Sequence, residues 1–285
     1  MRVAMAQITA RSQPSANLAE VAELTAAAAG GGADLIVFPE ATMCRFGVPL
    51  VPIAEPVDGP WVTGVREIAR RDRIAIVVGI FTPGIPTADG IPRVRNTVVV
   101  ADRSGRLWSY DKIHLYDAFG FAESATVQAG TDPLVVDLPL DDGSSARLGI
   151  AICYDVRFPE LFGALADAGA QLIAVPASWA SGPGKVEQWR ALTTARALDS
   201  GAYIVAVDQA PGDASATGDG HPTGVGHSRL IDPFGSVVDD EYGGSPRLGV
   251  HRLNLSGAVR AREVLGMRAN RRPIATPGGP RLPTD

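Results

Sequence analysis

Short β-branched and apolar runs alternate with amphipathic helical stretches along this chain, and that alternation limits the folds open to it more than any other feature. RVAMAQI at the start reads as a strand, Asn17 to Ala29 as a helix and DLIVFP as a second strand. The pattern returns at Val62 to Arg71 followed by RIAIVVGIF, at Pro159 to Ala168 followed by QLIAVP, and at Val186 to Ser200 followed by AYIVAV. Gly30 to Gly32 close an alanine-rich helix and are read as its C-cap rather than as a phosphate cradle. VRNTVVVAD, a Ser104-Gly105 turn and RLWSYDK read as one hairpin, and GHSRLIDPFGSVVDD as another that turns at Asp232 to Gly235. The expected product is a pair of mixed sheets with helices outside. Each sheet then has an apolar face that the other covers most simply, giving an α/β fold with four α-β-β-α layers.

No composition shift or low-complexity linker divides the sequence, so residues 1–272 are expected to form a single domain. The Pro- and Gly-rich stretch at 273–285 is expected to be a tail or an interface arm. A formal net charge of -5, with no concentrated run of Lys or Arg, argues against nucleic acid or an anionic membrane as partner and for a small molecule. MRVAMAQI lacks the pattern of a signal peptide, and no apolar run reaches the roughly 18 residues of a membrane span. Two cysteines, Cys44 and Cys153, make no disulfide framework, so a reducing cytoplasm is the expected compartment. The four histidines, His114, His221, His227 and His251, are scattered without ligand spacing, and no metal is expected.

Three segments could carry chemistry. In LIVFPE an apolar strand ends in Pro39 and Glu40, placing a carboxylate at the carboxyl edge of a sheet, where open α/β sheets bind ligands; a plain exposed Glu is the competing reading. In YDKIHLYD, Lys112 follows a hairpin strand among Tyr110, Ile113 and Leu115, where partial desolvation would make its charge a strong local element. Alone it would read as a surface lysine, and His114 as a hydrogen-bonded structural residue. In RLGIAICYDVRFPE an apolar strand, Leu148 to Ile152, runs into Cys153, then the polar turn residues Tyr154, Asp155 and Arg157, then a helix near Pro159. A nucleophile at such a junction stands clear of its backbone, and the Tyr154 N–H after it can face an oxyanion. Core filling is the bland alternative for both cysteines. A thiol with an ordinary pKa of about 8.5 needs a base, and Glu40 is the candidate if it is held close.

These residues, taken together, resemble the nitrilase superfamily of carbon–nitrogen hydrolases. FPE at Phe38 to Glu40, DKIHL at Asp111 to Leu115 and ICYDVRFPEL at Ile152 to Leu161 stand in the family's Glu, Lys, Cys order, and the likeness runs on to GHSRLIDPFG at Gly226 to Gly235. KIHLYD, FAES with Glu123, and CYDVRFPEL are most similar to the omega-amidase and deaminated-glutathione-amidase branch. The resemblance implies catalytic Glu40, Lys112 and Cys153, with Glu123 orienting substrate and lysine. It also implies no metal or organic cofactor, and a homodimer or higher homo-oligomer. The implied activity is hydrolysis of a small carboxamide, of the kind found as an omega-amide of a dicarboxylic acid, through a thioester with release of ammonia.

Where relatives of that branch carry an Asn-Leu-Thr-Thr-Gly-Pro-like stretch, this chain has ASWASGPGKVEQW from Ala177 to Trp189. Arg157 and Trp179 are the expected pocket residues, with Arg157 either a carboxylate clamp or part of a structural salt bridge. The open alternatives are an N-carbamoyl amino acid amidohydrolase, an aliphatic nitrilase, and an inactive binding or assembly scaffold.

Overall fold

The computed structural model describes residues 1–212, 224–239 and 242–272. The expected tail at 273–285 and His221 lie outside the described residues. The first half of the chain runs β1 (Arg2–Gln7), α1 (Pro14–Gly30), β2 (Leu35–Val37), α2 (Pro60–Asp72), β3 (Ala75–Pro83), β4 (Val94–Ala101) and β5 (Leu107–Asp111). A small ribbon, β6 (Asp117–Ala118) and β7 (Phe121–Ala122), leads to the second half. That half comprises β8 (Leu134–Pro139), β9 (Ser145–Ile150), α3 (Pro159–Asp167), β10 (Leu172–Ala177), α4 (Lys185–Ser200), β11 (Tyr203–Asp208), β12 (Arg229–Ile231) and β13 (Val237–Asp239). The last described elements are β14 (Arg247–Arg252) and α5 (Ser256–Leu265).

Two six-stranded sheets result, ordered β14-β1-β2-β3-β4-β5 and β13-β12-β11-β10-β9-β8. In each, three central strands are parallel, with Val3 beside Leu35 and Leu35 beside Ala75 in one, and Leu148 beside Leu172 and Leu172 beside Tyr203 in the other. The outer pairings are antiparallel. Alternation along the strands sorts the side chains. Val3, Met5, Leu35, Val37, Ala75 and Val77 face the second sheet and join its core, while Ala4, Ala6, Ile36, Phe38, Ile76 and Val78 face α1 and α2. With α3 and α4 covering the far side of the second sheet, the expected four layers are present.

The differences from expectation have local causes. α1 begins at Pro14, three residues before the expected start, because proline is favoured in a first helical turn, where its missing N–H costs nothing. β2 stops at Val37. The Phe38 N–H still bonds to the Val77 carbonyl, but Pro39 has no N–H to continue the ladder. β9 likewise ends at Ile150, so two extended residues separate the strand from Cys153. Gly31 caps α1 and Gly32 follows at φ +73°, as expected of a C-cap. Among the described residues no helix is long and apolar enough to cross a membrane.

Candidate active site

The three expected segments meet at the carboxyl ends of β2, β5 and β9. Glu40 lies in the turn after β2 and is 1% exposed. β3 presses close beneath this turn: a Cβ on Gly79 would lie 2.7 Å from the Ala41 nitrogen and 2.9 Å from the Glu40 Cα. Only a glycine lets the carboxylate sit there, and Ala41 takes a φ of +57° to complete the turn. Three donors fix the carboxylate. Lys112 Nζ at 2.9 Å and Asn96 Nδ2 at 2.7 Å reach Oε1, and the Ser178 N–H at 2.8 Å reaches Oε2. Gln209 holds the Glu40 carbonyl at 2.9 Å.

Lys112 follows β5, is 2% exposed, and bridges two carboxylates, Glu40 at 2.9 Å and Glu123 at 2.9 Å. Burial would lower its pKa, but Glu123 and Glu40 outweigh burial and push it well above the usual lysine range. Lys112 is therefore a fixed positive charge. Glu123 opens a 3-10 turn and is held by the Tyr116 N–H at 2.7 Å and by Asn96 at 3.1 Å. Asn96 lies within the β-branched run of β4, and its amide ties the two carboxylates together.

Cys153 takes a φ of +44° at the start of a 3-10 turn spanning Cys153–Arg157. A non-glycine residue in that region is strained by about 1–3 kcal/mol and is found where surrounding contacts over-determine it. Asp155, wholly buried, supplies those contacts. Its Oδ2 accepts the Ile152 N–H at 2.8 Å and the Tyr110 hydroxyl at 2.7 Å, and its Oδ1 accepts the His114 N–H at 3.0 Å and faces His114 Nδ1 at 2.7 Å. One carboxylate thus ties the Cys153 turn to the strand end that carries Lys112. His114 is thus hydrogen-bonded, as that reading of it expected, and its ring stacks on Phe158 at 3.7 Å between centroids. Burial and the Glu40 charge push the Cys153 thiol well above its ordinary pKa against the pull of Lys112, so the resting thiol is protonated.

Glu40, Lys112, Glu123 and Cys153 share one cleft that opens to solvent, with Tyr154, Trp179, Tyr116, Phe121 and Phe46 as its aromatic walls. Arg157 does not line it. Its Nη2 bonds Gln188 at 2.7 Å and its guanidinium lies 5.0 Å from the Trp179 ring centre, so it stands behind the indole without a carboxylate partner among the described residues. The structural salt bridge, one of the two readings of Arg157, is absent there. Cys44 is buried outside the cleft, with Sγ 3.4 Å from the Ser12 carbonyl. Among the described residues no cluster of His, Cys, Asp or Glu could hold a metal ion.

Comparison with known proteins decides the family. The family model described as carbon-nitrogen hydrolase matches residues 2–262. The chain belongs to the carbon–nitrogen hydrolase family. It is 50% identical over 278 residues to Hydrolase Rv0480c of Mycobacterium tuberculosis, with 95% of each chain covered. It is 34% identical over 241 residues to the deaminated glutathione amidase of Escherichia coli O157:H7, covering 84% and 85% of the two chains. The solved amidase of Nesterenkonia AN1, from the nitrilase superfamily, is 30% identical with a TM-score of 0.74 over 94% of this chain and 96% of that one. A carbon–nitrogen hydrolase is an enzyme, which removes the inactive scaffold from the alternatives.

Several residues that line or support the cleft of this family member escape a reading of the sequence alone. Asn96 could have been suspected as a lone amide in the β-branched run VRNTVVVA, and Asp155 as an acid two residues beyond the cysteine. Ser178 acts through its backbone N–H and leaves no trace in residue type. Lys185, which also lines the cleft, is one of only two lysines in the sequence.

Proposed function

We propose that this carbon–nitrogen hydrolase is a cysteine amidohydrolase that cleaves a small carboxamide, of the omega-amide type, through a thioester on Cys153 and releases ammonia. The observation that carries this reading is the convergence of a thiol, a buried carboxylate and a lysine held between two carboxylates on one cleft. Deaminated glutathione amidases among the relatives support an amide as substrate.

Because the resting thiol is protonated, attack requires Glu40 to take the Sγ proton as the carbon–sulfur bond forms. The amide carbonyl oxygen becomes an oxyanion, stabilised by Lys112 and by the Tyr154 N–H at the start of the 3-10 turn. Glu40 then gives its proton to the departing nitrogen as the carbon–nitrogen bond breaks, leaving ammonia and the acyl thioester. A water deprotonated by Glu40 attacks the thioester, and collapse of the second oxyanion returns the proton to Cys153 and frees the acid. Glu123 and Asn96 keep Lys112 and Glu40 in register throughout. The same reading includes a homodimer or larger homo-oligomer working in the cytoplasm.

Trapping tests the covalent step. With an omega-amide substrate and hydroxylamine in place of part of the water, the acyl group should be diverted to a hydroxamate, and rapid acid quenching should leave the acyl mass on the Cys153 peptide. Turnover with neither product would contradict a thioester.

A further inference from the structure

Of the 26 Lys and Arg residues in this chain only two are lysine, Lys112 and Lys185, and both line the cleft. Every other cationic position is arginine, which suits planar surface pairing; a compact ammonium on a flexible stem is kept for these two places. Lys112 has two carboxylate partners. Lys185 has none.

Lys185 opens α4, is 8% exposed and turns into the cleft. Its Nζ lies 3.9 Å from the Phe119 ring centre and 5.8 Å from that of Trp179, and its hydrogen-bond partner is the Tyr116 hydroxyl at a long 3.4 Å. Aromatic faces attract a cation without neutralising it. Arg157, behind the same indole, also lacks a carboxylate partner among the described residues. Burial and the Arg157 charge push the Lys185 ammonium below its ordinary range, the direction expected of a cation lacking its counter-ion. One wall of the cleft thus presents the Lys185 ammonium, with the Arg157 guanidinium behind its indole and no described anion beside either, while the Lys112 charge in the same cleft is already paired.

We propose that Lys185, backed by Arg157, is the specificity-determining cation that receives a carboxylate borne by the substrate a few bonds from the amide that Cys153 attacks. This inference rests on the amidohydrolase reading and assigns to Lys185 the selection of acidic over uncharged amides.

The test compares the monoamide of succinic acid with butyramide, an uncharged amide of equal chain length, as substrates of wild type, Lys185→Met and Lys185→Arg. Wild type should prefer the acidic amide in kcat/KM. A charge-assisted contact is worth about 10- to 100-fold, so Lys185→Met should lower that preference by about this factor, chiefly through KM, and Lys185→Arg should restore part of it. An unchanged preference, or an equal loss on both amides carried by kcat, would overturn the inference while leaving the amidase reading standing. Ammonia from neither amide with wild type would overturn both.

A second measurement does not depend on how the Lys185 variants fold. With only two lysines to label, reductive methylation of Cys153→Ala, read by peptide mass, should show Lys185 protected by succinic monoamide and not by butyramide. Equal protection by both, or none, would also overturn the inference.

Discussion

Replacing Asp155 by alanine should be among the most damaging single changes outside the reacting groups. Four contacts of 2.7–3.0 Å converge on this carboxylate, two of them from the fully buried Ile152 N–H and the Tyr110 hydroxyl. Burial and the Asp155 charge push the Tyr110 phenol up, so it stays protonated and remains a donor. Each buried donor stranded by Asp155→Ala costs roughly 1–3 kcal/mol, and the half-buried His114 contacts add less, for a total near 4 kcal/mol. In a chain of this size 1 kcal/mol moves the melting temperature by about 2–4 °C, so a drop of roughly 10 °C is expected in calorimetry. Asp155→Asn should lose about half as much, because its amide NH₂ must face one of the backbone donors head-on. Activity should fall further than stability alone explains, since the positive φ of Cys153 loses its brace. A loss below about 3 °C for Asp155→Ala would refute the view that this network holds the nucleophile's turn.

Other consequences can be measured directly. Glu40→Gln keeps the shape of the side chain but cannot take a proton, so kcat should fall by about 10²–10⁴ with KM little moved, whereas iodoacetamide labelling of Cys153 should not slow, because loss of the Glu40 charge removes one of the causes that hold the thiol pKa up. In wild type that reagent should label Cys153 before Cys44, which is wholly buried; equal rates would contradict the assignment of the nucleophile. Gly79→Ala drives a methyl into the backbone beneath Glu40 and should cost about 1–3 kcal/mol in denaturant melts together with most of the activity. Burial lifts the Cys44 thiol from 9.0 to about 11. The unfolded chain therefore ionises first as pH rises, and the stability this thiol contributes is whole below pH 9 and lost through about pH 11. Cys44→Ala should flatten that part of the stability curve by up to ~3 kcal/mol, and an unchanged slope would contradict it.

Much of this architecture is legible because buried parallel strands are written as continuous β-branched runs. AIVVGIF, LIAVPA and YIVAV announce β3, β10 and β11 without help from the rest of the chain. β14 and β8 escape for the opposite reason. Arg247–Arg252 and Leu134–Pro139 are half-exposed edge or near-edge strands, and they owe their conformation to pairing with β1 and β9. α5 is short and buries only Ala258 and Ala261, too small an apolar stripe to be read from spacing. At the site, Glu40, Lys112 and Cys153 are legible through their motifs, whereas their supports are not. Ser178 contributes a backbone N–H, Asn96 acts through a strand pairing, and Arg157 is turned behind Trp179 by Gln188, which lies 31 residues further along the chain. Such placements are tertiary, and residue type alone does not encode them.

Ammonia release is the most direct test of the whole reading. Wild type and Cys153→Ala would be compared on omega-amides of dicarboxylic acids, N-carbamoyl amino acids and nitriles, with folding of both proteins checked by calorimetry. The expected result is release from the omega-amides by wild type alone. Release that survives Cys153→Ala, or none from any class by folded wild type, would contradict a cysteine amidohydrolase built on Glu40, Lys112 and Cys153.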